Sequence, residues 1–200
     1  RQTFSYTIAD GRSLLTRIFY ATDIHGSEKC WMKFVNAGKF YKANVVILGG
    51  DITAKRIIPL IQRGSDYEAL FEGKKWSARA DEVDELEKVI RSKGYYTCRI
   101  TPSEVEELTS NAQKRDKLFL ELATDTLRRW MRIADERLKN SNIKCFVCPG
   151  NDDMLEIDQV IEEAEFVTNA GNKVVMVDDH HEMISLGWCN PTPWNTFKEC

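Results

Sequence analysis

The sequence predicts an α/β fold, and two observations indicate it. Three short apolar runs typical of buried strands lie at residues 17–22, 44–48 and 143–148, and each run stops at a polar cluster. Apolar residues at helical spacing over about residues 28–42 predict a helix between the first two runs. Because strand, helix and strand in this order form a βαβ unit, we expect a parallel sheet whose carboxyl-terminal strand ends meet at one edge.

Smaller elements are predicted near both ends of the chain. Apolar and polar residues alternate over residues 4–8, which indicates an edge or hairpin strand. After the third apolar run, residues 155–164 are typical of a helix. Two further apolar runs at residues 174–177 and 183–186 flank a polar stretch, and this pattern predicts a hairpin.

The middle of the chain, at about residues 63–140, predicts a mostly helical insertion. Short strand-like runs at residues 57–61 and 67–76 come first, and charged helical segments follow them. Thr101 is expected to cap a helix, since a proline and a glutamate follow it within three positions, and residues 112–138 form a long amphipathic helix. The insertion is either a plain structural subdomain or a cap over the sheet edge that affects substrate choice.

The composition indicates a globular protein with one domain over residues 1–200. The chain has 200 residues, of which 42% are hydrophobic and 30% charged, and its net charge of -3 argues against nucleic acid as a partner. No apolar run reaches the length of about 18 residues that spans a bilayer, so no membrane association is expected. The amino terminus lacks the apolar region of a signal peptide, and the irregular spacing of the cysteines favours reduced thiols, so we expect a cytoplasmic protein. The chain begins at Arg1, which indicates a processed or truncated polypeptide.

The six cysteines are irregularly spaced, which favours reduced thiols over a disulfide framework. Cys145 and Cys148 form a C-x-x-C pattern, which also occurs in redox and zinc sites. Both lie within a predicted buried strand, and no second C-x-x-C accompanies them. We therefore expect two structural thiols.

A polar cluster follows each of the three predicted strands. If the strands are parallel neighbours, these clusters meet at one sheet edge and supply carboxylate, imidazole and amide donors. Such donors suit Mn, Fe or Zn ions. The clusters are Asp23-Ile24-His25-Gly26, Gly49-Gly50-Asp51 and Gly150-Asn151-Asp152-Asp153.

These motifs, D-x-H, G-G-D and G-N-x-D in this order over about residues 17–155, resemble those of the calcineurin-like metallophosphoesterases. The resemblance implies an αββα sandwich, here incomplete at the carboxyl terminus and interrupted by the helical insertion. It also implies two divalent metal ions: Asp23 and His25 would bind the first, Asp51 would bridge both, and Asn151 would bind the second. A metal-bridging hydroxide would then hydrolyse a phosphate mono- or diester, with a small molecule as substrate.

The third motif departs from the family pattern, in which a histidine follows the asparagine and helps to protonate the leaving group. Asp152 occupies that position here. It would act as a general acid only if burial or nearby charge raised its pKa; the alternative is that it orients a ligand or a water molecule. Asp153 matches the family's acidic position, which supports a neighbouring group.

The family's remaining histidine ligands have no match in this chain, which contains no G-H-x-H motif. Its only other histidines, His180 and His181, fall in the predicted hairpin turn, so we expect them to be exposed rather than to bind metal. The simplest explanation is a fragment that ends at Cys200 before the last strands. Two alternatives to hydrolysis of a small ester remain: a binding or scaffold module that has lost the chemistry, and a nuclease.

Two further groups of residues are candidates for substrate contact. Lys55 and Arg56 follow Asp51 closely and are either phosphate contacts or ordinary loop charges. An aromatic and proline-rich stretch late in the chain either borders the site or forms a surface loop. Its residues are Trp188, Pro191, Pro193 and Trp194.

Overall fold

The computed structural model describes residues 15–191 and 197–198 and has an α/β fold. The strands are β1 (Ile18–Ala21), β2 (Val45–Leu48), β3 (Ile57–Arg63), β4 (Asp66–Phe71), β5 (Lys74–Arg79), β6 (Tyr96–Ile100), β7 (Lys144–Val147), β8 (Thr168–Asn169), β9 (Val174–Met176) and β10 (Glu182–Ile184). The helices are α1 (Glu28–Tyr41), α2 (Val83–Ser92), α3 (Pro102–Ser110), α4 (Ala112–Leu138) and α5 (Ile157–Glu162).

The predicted parallel sheet is confirmed. Its strands lie in the order β1-β2-β7-β8, and every neighbouring pair is parallel. The three apolar runs are therefore adjacent strands, and the polar clusters that follow them lie at one edge of the sheet. The described residues thus form the βαβ arrangement that the sequence predicts.

Side chains of the central strands alternate between two cores, as the period of two in a strand requires. Val46 and Leu48 pack with residues of α1, α4 and α5 on one face of the sheet. Val45 and Ile47 pack on the other face, against Val177 and its neighbours in the β9–β10 hairpin. The parallel sheet therefore lies between a helical layer and a two-stranded β layer.

The same alternation separates the two cysteines of the C-x-x-C pattern. Cys145 points into the core beneath the helices, whereas Cys148 points into the core beneath the hairpin. Both are buried and free, and burial raises the pKa of the Cys145 thiol to about 12. Thiols on opposite faces do not share a metal ion, and the expectation of structural thiols agrees with this geometry.

The middle of the chain contains a second sheet as well as the predicted helical segments. Its strands lie in the order β5-β4-β3-β6; only the β3–β6 pair is parallel. The predicted run at residues 67–76 is in fact two strands joined by a tight turn. Helix α3 begins at Pro102, and the side chain of its N-cap residue, Thr101, accepts a hydrogen bond in a full capping box, as predicted.

Helix α4 belongs to the main core, although the sequence assigned it to the insertion. Leu127, Trp130 and Leu138 are buried with residues of β2 and β7. The Trp130 ring stacks on Trp31 of α1 with a centroid distance of 5.1 Å. This half of the helix therefore covers a face of the parallel sheet.

Strand β1 is less buried than its apolar sequence predicts. Ile18 and Tyr20 are 48% and 60% exposed, because β1 is the edge strand of the described sheet. The strand predicted at residues 4–8 lies outside the described residues. Within the described residues, no helix is both long and apolar enough to cross a lipid bilayer.

Candidate metal centre

Backbone hydrogen bonds join the loop after β1 to the loop after β2. The Asp23 N–H donates to the carbonyl of Gly50 at 3.0 Å, and the His25 N–H donates to the carbonyl of Asp51 at 2.9 Å. The Gly26 N–H continues the series to the carbonyl of Ile52 at 2.7 Å. These bonds extend the pairing of the two strands beyond the sheet, so the D-x-H and G-G-D residues keep a fixed register.

Three predicted metal ligands converge in this arrangement. His25 Nε2 lies 3.7 Å from Asp23 Oδ1 and 3.8 Å from Asp51 Oδ2, and one donor atom from each residue lies within 4.8 Å of the others. These separations are too long for hydrogen bonds. Two donors bound to one ion at about 2.1 Å each lie about 3.0–3.6 Å apart. The two distances from His25 Nε2 are therefore close to ligand spacing.

All three ligands have unusual backbone conformations. The φ angles of Asp23, His25 and Asp51 are 55°, 40° and 49°, a region that residues other than glycine seldom adopt. Each such residue costs on the order of 1–3 kcal/mol and persists only where the surrounding structure enforces it. Strain at three converging side chains is typical of a functional site.

Burial raises the pKa of the Asp51 carboxyl above its ordinary value. The backbone N–H of Asp152, which donates to Asp51 Oδ1 at 3.2 Å, opposes this shift, whereas the negative charges of Asp152 and Asp153 add to it. His25 opposes it weakly. The protein alone therefore makes ionisation of this carboxyl less favourable than in water, and a bound cation would favour the charged form.

Asp153 is fully buried, and its carboxylate connects the loop after β2 to the loop after β7. Its oxygens accept hydrogen bonds from the N–H groups of Ile52 at 3.0 and 3.1 Å, of Thr53 at 2.9 Å and of Gly150 at 2.7 Å. The Thr53 hydroxyl donates a further bond at 2.8 Å. Asp153 therefore positions the backbone of both loops, and it is too buried to contact a substrate.

Asn151 and Asp152 lie on the β7 side of the site. The Asn151 side-chain amide donates to Asp152 Oδ1 at 3.3 Å, and the Asp152 backbone contacts the Asp51 carboxylate as described above. Lys55 Nζ lies 2.6 Å from Asp152 Oδ2, and this hydrogen bond is the largest reason why the pKa of Lys55 is raised. Asp152 thus holds a charged ammonium group, which favours the interpretation that it orients a neighbour over that of a general acid.

The second sheet and its helices also position the site, which the sequence did not reveal. The Ser27 hydroxyl donates to the carbonyl of Ser92 at 2.8 Å, and the Ala54 N–H donates to the Tyr96 hydroxyl at 3.2 Å. A Cβ atom added to Gly94 would lie 2.4 Å from the His25 carbonyl oxygen. The middle of the chain is therefore packed directly behind the D-x-H loop.

His180 and His181 do not join the cluster. The backbone N–H groups of both histidines donate to Asp178 Oδ1 at 2.8 Å, and Asp178 Oδ2 accepts a hydrogen bond from the hydroxyl of Thr16. Thr16 precedes β1, so this turn lies at the amino-terminal edge of the sheet, opposite to Asp23. Both histidines are exposed, as expected. Trp188 and Pro191 lie in a loop, and residues 192–196 are outside the described residues.

The donor set of the cluster fits one divalent ion. Two carboxylates and an imidazole are ligands that Mn, Fe and Zn accept. The Nδ1 atom of His25 is buried and has no hydrogen-bond partner among the described residues. No hydrogen bond to this atom from that part of the chain therefore explains why the imidazole occupies this position. For a second ion, the described residues offer Asp51 and the amide oxygen of Asn151.

Comparisons with known proteins add no support for a particular family. A scan against family models, a search of curated proteins and a search of solved structures each found no significant match to this chain. The geometry of the cluster is therefore the basis of the functional inference.

We predict that Asp153→Asn destabilises the protein by roughly 2–4 kcal/mol, because an amide would turn hydrogens toward buried N–H donors. Asp152→Asn is the matched control at the adjacent position, where the side chain is 17% exposed, and it should cost less than about 1 kcal/mol. Urea unfolding in the presence of a chelator measures both. Equal losses would contradict the role assigned to Asp153.

We predict that Gly94→Ala lowers both stability and metal affinity, since the new methyl group would displace the His25 carbonyl. Gly73→Ala is the control, because Gly73 also has a positive φ, 72° against 93° for Gly94, but has no atom within 4 Å of an added Cβ. The free energy of unfolding of the control should fall only by the cost of a non-glycine residue at positive φ, about 1–2 kcal/mol. Calorimetric titration with Mn²⁺ should show weakened binding for Gly94→Ala alone; unchanged affinity would contradict the contact.

We predict that Asp51→Asn raises the thermal stability of the metal-free protein at neutral pH. The pKa of Asp51 is raised in the folded state, so its favourable contribution is complete below the unfolded pKa and is lost as the pH rises through the folded value. The advantage of the variant should therefore vanish in acid, below about pH 4. Thermal unfolding of both proteins with a chelator across this range tests the sign; a variant that is less stable at pH 7 would refute it.

Proposed function

We propose that this chain carries the metal site of a metal-dependent phosphoester hydrolase of the calcineurin-like type. The observation that carries the proposal is the convergence of Asp23, His25 and Asp51 from the ends of two adjacent parallel strands. Asn151 follows the next strand of the same sheet. The order of these motifs along the chain and their order across the sheet agree.

The layers of the fold support the same proposal. A parallel sheet with helices on one face and a β hairpin on the other is compatible with part of an αββα sandwich. The substrate class proposed is a phosphate mono- or diester of a small molecule.

Each polar residue of the site would have a separate task. Asp23, His25 and Asp51 would hold one divalent ion, and Asp51 with Asn151 would contribute to a second. Divalent ions in such a site supply a nucleophile from water near neutral pH and offset the charge that develops on phosphate oxygens. Lys55 would contact a phosphate oxygen with its ammonium group, which Asp152 orients.

One observation favours the alternative of a binding module without chemistry. The described residues supply three donors for one ion but only Asp51 and Asn151 for another. A site with two protein donors holds a second ion weakly, and hydrolysis that requires both ions would then be slow. Metal-stimulated turnover separates the two proposals.

We predict Mn²⁺-stimulated release of p-nitrophenol from p-nitrophenyl phosphate, and its loss by at least about 100-fold in Asp51→Asn. Asp66→Asn is the control, because Asp66 is an exposed carboxylate at the β3–β4 turn, away from the cluster. Absence of turnover in the wild-type chain, with Mn²⁺ bound, would favour the binding module. Near wild-type turnover in Asp51→Asn would refute the assigned ligand.

A further inference from the structure

A groove of about 710 Å³ adjoins the candidate metal centre. Asp152 and Lys55 lie on its wall at the end nearest the metal ligands, and Arg115 and Phe119 of α4 form part of the other side. Its volume is within the range of about 300–1,000 Å³ that is usual for small-molecule sites. An ester whose phosphate contacts the metal ligands would therefore extend its organic part into this groove.

Aromatic rings give the groove an apolar surface. Phe119 packs edge-on against Tyr96 with a centroid distance of 5.4 Å, which fixes its ring. The Phe197 N–H donates to the carbonyl of Asn151 at 3.0 Å, so this phenylalanine is held beside the third motif although its side chain is 57% exposed. Phe119 is partly buried and Phe197 is exposed, and aromatic rings that border a polar site in this way are suited to stacking on a flat ring of a ligand.

The groove also has an excess of positive charge. Its charged residues are three cations and two carboxylates, and the Lys55 ammonium is engaged by Asp152. Arg115 forms a long contact of 3.8 Å with Asp116, and both side chains are exposed. Arg56 forms no ion pair within the described residues. An anionic group in the groove would therefore meet two guanidinium groups that are not strongly engaged.

We propose that this groove binds the organic part of the substrate, and that the substrate is a phosphate ester with an aromatic ring and a second anionic group, as in a nucleotide with two phosphates. The ring would stack on Phe119 and Phe197, and the second anion would contact Arg56 and Arg115. This inference rests on the proposed phosphoester hydrolysis, because that activity places the first phosphate at the metal ligands.

Three probes separate the parts of the groove: adenosine 3′,5′-bisphosphate, adenosine 5′-monophosphate, and ribose 5-phosphate, which lacks the aromatic ring. We expect kcat/KM, from phosphate release with Mn²⁺, to be highest for the bisphosphate and lowest for ribose 5-phosphate. The value of kcat/KM should differ roughly 10-fold between the bisphosphate and the monophosphate, as expected for a hydrogen-bonded charge, and roughly 10-fold between the monophosphate and ribose 5-phosphate, as expected for a stacked ring. Equal values for the three probes would overturn the proposal.

Two pairs of variants locate the effect. In Arg115→Gln, the preference for the bisphosphate over the monophosphate should fall roughly 10-fold, whereas Arg128→Gln, an exposed arginine on the same helix, should retain it. In Phe197→Ala, the preference for the monophosphate over ribose 5-phosphate should fall by a similar factor. Phe40→Ala is its control, because Phe40 is an exposed phenylalanine on α1. Unchanged preferences in Arg115→Gln and Phe197→Ala would overturn the proposal.

A failure of hydrolysis is distinguishable from a failure of the groove. If no probe releases phosphate, the proposed activity is wrong, and calorimetric binding of the same probes then decides about the groove. Selective binding of the bisphosphate that Arg115→Gln weakens roughly 10-fold, and Arg128→Gln does not, would support the groove as a binding site. Equal or absent binding of all three probes would overturn it.

Discussion

The buried carboxylate of Asp153 is the interaction on which the rest of the site depends. Strands β2 and β7 end side by side, and the chain then leaves the sheet with N–H groups that have no strand partner. Asp153 accepts hydrogen bonds from those of Ile52, Thr53 and Gly150, and its side chain has no solvent exposure. A single side chain thereby fixes the relative position of two loops, one of which carries Asp51 and the other Asn151. A neutral side chain of the same size lacks the acceptors for this task.

The site combines a rigid support with a locally unfavourable centre. Strained backbone at Asp23, His25 and Asp51 and burial of the Asp51 carboxylate all cost stability in the protein alone. The backbone hydrogen bonds between the loops after β1 and β2, together with the packing of Gly94 behind His25, hold this arrangement in place. A divalent ion would offset the repulsion among the carboxylates, so binding and folding would be linked. Stored strain of this kind indicates selection for a function rather than for stability.

Much of this arrangement could be predicted from the sequence, because it depends on local patterns. Apolar runs that stop at Asp23, Asp51 and Asn151 identified the strands and the edge where the motifs meet, and a capping box identified the start of α3. Strand-like runs at residues 57–61 and 67–76 were predicted in the second sheet, but β6 was missed, because it has no distinctive pattern and pairs with β3, about forty positions earlier in the chain. The place of α4 in the main core was also missed. Ala123 and Ala134 of this helix are buried in that core, but alanine contributes little to the hydrophobic pattern of a charged helix. Contacts such as Gly94 with His25 follow only from the tertiary structure.

We propose that the ends of β1 and β2 together form one divalent metal site. The most direct measurement is an anomalous difference map from crystals grown with Mn²⁺. We expect a peak bonded to Asp23, His25 Nε2 and Asp51, with distances of about 2.0–2.2 Å. A map without a peak between these residues at saturating Mn²⁺, or with the ion bound elsewhere on the chain, would contradict it.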